Sequence, residues 1–116
     1  MNQARITRVA FADERVKKAY EELEGGRFEE KELRKHIDNA IRDLKGSPFC
    51  GVRIPSKLWP KEYVSKFNVN NLWKYDLPGG WRLVYFVAGN EIEIVSIILE
   101  WFDHEKYEKR FGYKKR

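Results

Sequence analysis

The sequence predicts one α+β domain spanning residues 1–116. It should be a small, twisted, mostly antiparallel sheet packed against an N-terminal helical hairpin, with a short C-terminal helix, in the order β-α-α-β-β-β-α. Three observations carry this reading. Two segments of the first half place apolar residues at helical spacing and are parted by Gly25-Gly26. Three runs rich in β-branched and aromatic residues follow one another after residue 70, joined by Pro78-Gly79-Gly80 and by Gly89-Asn90. A chain of 116 residues can bury one core unaided, and its one cysteine, Cys50, leaves no intrachain disulfide, which suits a reducing cytoplasm.

Ile6 to Phe11 (ITRVAF) reads as a strand. Asp13 is placed to start a helix that carries Val16, Ala19, Tyr20 and Leu23 on one side, and the glycine pair ends it. From Phe28 to Leu44, Leu33, Ile37, Ala40, Ile41 and Leu44 form a second stripe, closed by Gly46, Ser47 and Pro48. Phe49 to Asn70 has little periodicity and contains Pro55 and Pro60, so it reads as a connecting excursion with room for a short helix over Lys61 to Lys66. The strands then run Leu72–Leu77, Trp81–Val87 and Glu91–Leu99. Ile94, Val95, Ile97 and Ile98 imply burial on both faces and place the last of these inside the sheet. Asp103 to Phe111 reads as the final helix. With the hairpin on one face, the other is expected to be concave and open.

The net charge of +5 is unevenly spread. Residues 101–116 carry six Lys/Arg against three Asp/Glu and finish with Lys114, Lys115 and Arg116. Between Arg53 and Lys74 five basic residues face one acid, interleaved with Trp59, Tyr63, Phe67 and Trp73. Such a mixture suits a nucleic acid, whose phosphates meet the charges while bases stack on the rings. It is equally the pattern of a solvated face whose aromatics belong to the core.

Arg82 is the sharpest single signal. Trp81, Leu83, Tyr85 and Val87 share one strand face, which leaves Arg82 on the other with Val84 and Phe86. A guanidinium among apolar neighbours needs an anion, either a ligand phosphate or Asp76 across the Pro78-Gly79-Gly80 turn. His104, Tyr107 and Arg110 follow the last strand at three-residue intervals, so helical spacing can bring them together. Metal-free RNA cleavage needs such groups: one to move protons, and one to hold the phosphorane with paired donors. His36, between Lys35 and Ile37, reads as a surface residue.

Other chemistries are excluded. One cysteine and two distant histidines make no metal-ligand set. Gly79-Gly80 joins two strands and is not a phosphate cradle before a helix. No serine has a nucleophile-elbow setting, no apolar run reaches the ~20 residues of a membrane span, and MNQARITRVAF is too short and polar for a secretory core.

In element order, and most specifically at YDLPGGWRLVYFVAGNEIEIVSIILEWFDHEKY, the chain resembles the RelE/ParE superfamily of toxins from type II toxin–antitoxin modules. The resemblance rests on an arginine early in the penultimate strand and a His or Tyr soon after the last. It implies a ribosome-dependent, metal-independent mRNA endoribonuclease that needs no cofactor, with Arg82, His104, Tyr107 and Arg110 as catalytic candidates. Arg53, Lys57, Lys61, Trp73 and Lys74 would contact RNA. Partners would be the ribosome, mRNA and an acidic antitoxin whose carboxylates meet Arg82, Lys57, Lys61 or Arg110. Two alternatives stay open: a ParE-like toxin that poisons DNA gyrase, and an inactive relative that only binds antitoxin or RNA.

Overall fold

The computed structural model describes residues 5–112; Tyr113 and the basic finish Lys114, Lys115 and Arg116 lie outside the described residues. Strand β1 (Ile6–Phe11) leads into helix α1 (Glu14–Glu22), whose start is fixed by the Asp13 carboxylate accepting from the Val16 N–H at 3.0 Å. A 3₁₀ turn over Leu23–Gly25 passes to α2 (Phe28–Gly46), where Glu30 reaches back to the Arg27 N–H. After a two-residue strand β2 (Val52–Arg53) come α3 (Lys61–Phe67), β3 (Trp73–Asp76), β4 (Arg82–Gly89), β5 (Glu93–Phe102) and α4 (His104–Phe111). Asp103 caps α4 by accepting from the Lys106 N–H at 2.8 Å.

The five strands form one sheet in the order β1-β5-β4-β3-β2, with β5 interior as its apolar run requires. All neighbours are antiparallel except β1 and β5, which run parallel from Ile6↔Glu93 to Phe11↔Ile98. That pairing follows from the connection: β1 reaches β5 only after both hairpin helices and three strands have intervened. The α+β class and the helical hairpin are as expected. The short helix foreseen in the excursion is α3, and β2 extends the sheet by one short edge strand.

The hairpin covers one face. Val16 of α1 and Leu33, Ile37, Ala40 and Leu44 of α2 pack on Leu83, Tyr85 and Ile98. Tyr20 bonds Asp38, and Arg34 lies 4.0 Å above the Tyr20 ring, which ties α1 to α2 at the rim.

The second face is not the open concavity the strand pattern predicts. Ile54, Tyr63 and Val69 of the excursion, Leu72 just before β3, and Tyr107 and Phe111 of α4 bury Val84, Phe86 and Leu99 in a second apolar cluster. The physical reason is that β4 and β5 carry apolar residues on both sides, so either bare face would leave them in water. Two devices tie the excursion to the sheet, one on the hairpin-side face and one at the start of β3. The Tyr85 hydroxyl donates to the Pro48 carbonyl at 2.9 Å and accepts from the Gly51 N–H at 3.1 Å. A Cβ at position 51 would lie 2.5 Å from the Lys74 carbonyl and 2.7 Å from that hydroxyl, so only glycine permits the approach. At the other end the Asn71 amide brackets Val87, accepting from its N–H and donating to its carbonyl, both at 2.8 Å. Asn71 thereby replaces a ladder pair where β3 has not yet begun.

β5 is bulged. Val84 pairs with Glu100 and Tyr85 with Ile98, leaving Leu99 as the extra residue. Leu99 and Glu100 consequently both serve the second face: Leu99 enters its core, and Glu100 accepts from the Tyr63 hydroxyl of the same cluster.

Candidate functional site

Arg82 opens β4 directly after the 3₁₀ turn Pro78–Gly80. Gly79 and Gly80 both adopt positive φ, at 80° and 84°, a backbone state that glycine alone enters without strain. The turn curls back so that Arg82 Nη1 donates to the Gly80 carbonyl at 2.7 Å. The same glycine lies against α4: a Cβ on it would sit 3.5 Å from His104 Cβ. One turn therefore lies between the Arg82 guanidinium and the start of α4. Below them the Arg82 guanidinium carbon stands 5.5 Å from the Tyr107 ring centroid, within cation–π range.

The side chain of Arg82 is 20% exposed. Its Nε is 3.1 Å from Asp76 Oδ1, across the Asp76↔Arg82 register pair, and Lys74 Nζ reaches the same oxygen at 2.9 Å. The Arg82 contact is one of charge and not a hydrogen bond, because that buried N–H donates to no acceptor among the described residues. The carboxylate so placed answers the sequence's question about Arg82 in part: Asp76 neutralises it, while the Nε facing that carboxylate stays buried without a hydrogen bond. His104 is 54% exposed at the first turn of α4, with Nε2 3.2 Å from Glu108 Oε2. Tyr107 is 3% exposed and sits between Phe102 and Phe111 as core.

Arg110 does not join this corner. It bonds Glu62, approaches Glu100 at 3.8 Å and covers the Tyr63 ring at 5.3 Å. Helix geometry explains the split. At about 100° per residue, three positions fall about 60° short of a turn. With Tyr107 facing the core, His104 flanks it on one side and Arg110 on the other. Desolvation opposes the charge on Arg110, yet the bond to Glu62 and the nearby Tyr63 and Glu100 outweigh it and leave the pKa raised. Burial, then the bond to Glu100, raises the pKa of Tyr63, which stays a donor to that carboxylate.

The residues expected to contact RNA are dispersed. Arg53 and Trp73 are register partners at the hairpin-side edge, the guanidinium 5.4 Å from the indole. Trp73 also stacks on Tyr85 and bonds Asn71, so its ring belongs largely to the core. Lys74 lies on the opposite face with Asp76. Lys57 and Lys61 are exposed, on a 3₁₀ turn and at the start of α3. Trp59 is half-buried and donates to the Ile54 carbonyl at 2.8 Å. His36 is partly exposed on α2.

Sequence reasoning missed Asn71, Gly51 and Glu100. An asparagine just before a strand carries no pattern of its own, and the bulge that aims Glu100 hides in the uniform run Ile97–Leu99. Among the described residues no cluster of His, Cys, Asp and Glu is arranged to hold a metal ion, and no helix is long and apolar enough to cross a membrane. No family model, curated protein or solved structure matches the chain.

Proposed function

We propose that the chain is a RelE-type toxin, an endoribonuclease that cuts messenger RNA on the ribosome. The single observation that supports this best is that one glycine turn brings the largely buried Arg82 and the backbone of His104 near each other: Arg82 Nη1 donates to the Gly80 carbonyl, and a Cβ on Gly80 would lie 3.5 Å from His104 Cβ. In the proposed reaction a ribose 2′-oxygen attacks the adjacent phosphorus, the bond to the 5′-oxygen breaks, and a 2′,3′-cyclic phosphate remains. Arg82 stabilises the charge that builds on the phosphorane oxygens. His104 takes the proton of the attacking 2′-hydroxyl and returns it to the departing 5′-oxygen. Tyr107 acts from below, holding Arg82 through its ring. Lys57 and Lys61, exposed on the excursion, would contact RNA phosphates. An acidic antitoxin would silence the toxin by offering carboxylates to the same cations.

Primer extension on translating ribosomes tests the reading: cuts within codons are expected, reduced about 10²-fold or more by Arg82→Ala, the scale of one lost transition-state donor. A purified chain that leaves mRNA intact with ribosomes present would reject it. One observation favours a second reading: Asp76 already neutralises Arg82 and Tyr107 is core, which is what a toxin acting purely by binding, such as a gyrase poison, would tolerate. Inhibited supercoiling with intact mRNA would select that reading.

A further inference from the structure

A second cationic site lies on the far side of Tyr107. α1, α3, α4 and the bulge of β5 enclose a cleft of about 440 Å³ floored by Leu99 and Phe67. Arg15 comes from α1, Lys66 from α3 and Arg110 from α4, three cations from three separate helices. At their meeting point stands Glu62, 69% exposed, bonded to Arg110. Its carboxyl pKa is lowered by Arg110 first, with Lys66 and Arg15 adding to the effect, so all three cations act on one carboxylate.

The partners of these groups are unequal. Glu100 is fixed by the Tyr63 hydroxyl at 2.5 Å and by packing under the bulge, so it is structural. Lys66 touches Asp13 only at 3.7 Å. Glu62 sits in the first turn of α3 on a long, exposed side chain that lies outside the second apolar cluster. It is the movable anion of the set. Cations converging from three directions suit a tetrahedral group with several oxygens, whereas the planar carboxylate of Glu62 is bonded to Arg110.

We propose that this cleft is a phosphate-binding subsite in which Arg15, Lys66 and Arg110 hold a backbone phosphate of bound RNA, and that Glu62 is the internal stand-in the phosphate displaces. The inference rests on the RNA-cleaving reading and assigns Arg110 to grip, away from the reacting atoms. RNA would then be held on both flanks of α4, at the Arg82 corner and here.

The test is binding of a labelled 2′-O-methyl decauridylate, which cannot be cleaved, by fluorescence anisotropy over a salt series. Arg15→Ala and Lys66→Ala, both exposed and safe for folding, should each weaken binding and lower the slope of log K against log salt by about 0.7. Glu62→Gln should tighten binding by up to about fivefold, the scale of one exposed ion pair no longer competing. A merely structural Glu62 would give unchanged or weaker binding and overturn the proposal. Inorganic phosphate that competes while RNA affinity ignores all three cations would reassign the cleft to free phosphate. A deca-glutamate peptide bound more tightly than the RNA through the same residues would reassign it to an acidic protein; either result rejects the RNA subsite. RNA gripped through the cleft but never cut on ribosomes would reject the cleavage reading alone. RNA cut normally with affinity indifferent to Arg15, Lys66 and Glu62 would reject the subsite alone.

Discussion

Arg82 illustrates how one side chain can be both structural and reactive. Nη1 is committed to the Gly80 carbonyl, which fixes the fork, while Asp76 offers charge without a hydrogen bond. Asp76 in turn keeps Lys74 as an alternative partner, so releasing Arg82 does not strand a carboxylate. Lysine cannot reproduce the fork, so Arg82→Lys should lose nearly as much cleavage as Arg82→Ala. Tyr107 separates two roles. Its ring supports Arg82 and packs on Phe111 at 4.7 Å. Tyr107→Phe should therefore keep cleavage within about threefold of the parent chain, measured as single-turnover rates on ribosomes. A hydroxyl acting as acid or base would be worth about 10²-fold or more, and a loss of that size would return Tyr107 to the chemistry.

At the scale of elements, α4 is where packing and the site meet. Phe111 is 1% exposed and contacts Tyr63, Phe102 and Tyr107, so it anchors the helix whose first residue is His104. Phe111→Ala should cost about 3–5 kcal/mol by urea unfolding, the range for large core truncations, and should lower cleavage through a displaced His104. His104→Gln, at an exposed position, should leave stability within about 0.5 kcal/mol while lowering cleavage, which separates the two effects. The same elements show what was legible beforehand. The strands and turns around Pro78–Gly80 and Gly89-Asn90 were readable because glycine and proline mark turns locally, and Asp13 and Asp103 because caps are local too. The closure of the second face was not. Ile54, Tyr63, Val69 and Leu72 have no common period, since Tyr63 comes from the short helix α3 and the others from irregular chain, each buried by tertiary contact. That the start of β4 and the start of α4 lie at one corner was foreseeable from position, whereas the separation of Arg110 depended on which way Tyr107 faced. Two-sided apolar strands could have warned that no face would stay bare.

The whole molecule is a sheet between two apolar layers, and two tyrosines of its hairpin-side face tie it to neighbouring segments, an arrangement with a titration signature. Tyr85 crosses from the sheet to the excursion through Pro48 and Gly51, and burial pushes its hydroxyl up to about 12. Tyr75 bonds Asp43 of α2 from β3, and that bond, with burial, likewise raises it to about 12. In the unfolded chain both return to about 10. Between these values the unfolded chain has lost protons that the folded chain still holds, so stability must fall as pH rises. Below about pH 10 both tyrosines are protonated in either state and contribute no slope. Urea midpoints should therefore drop from about pH 10 to about 12. The drop should be shallower in Tyr75→Phe/Tyr85→Phe, which starts lower because the Gly51 N–H and Pro48 carbonyl lose their shared partner. Each lost bond of this kind is worth about 1 kcal/mol at neutral pH. Parallel midpoint curves for parent and double variant across that window would show that these hydroxyls do not carry the alkaline transition.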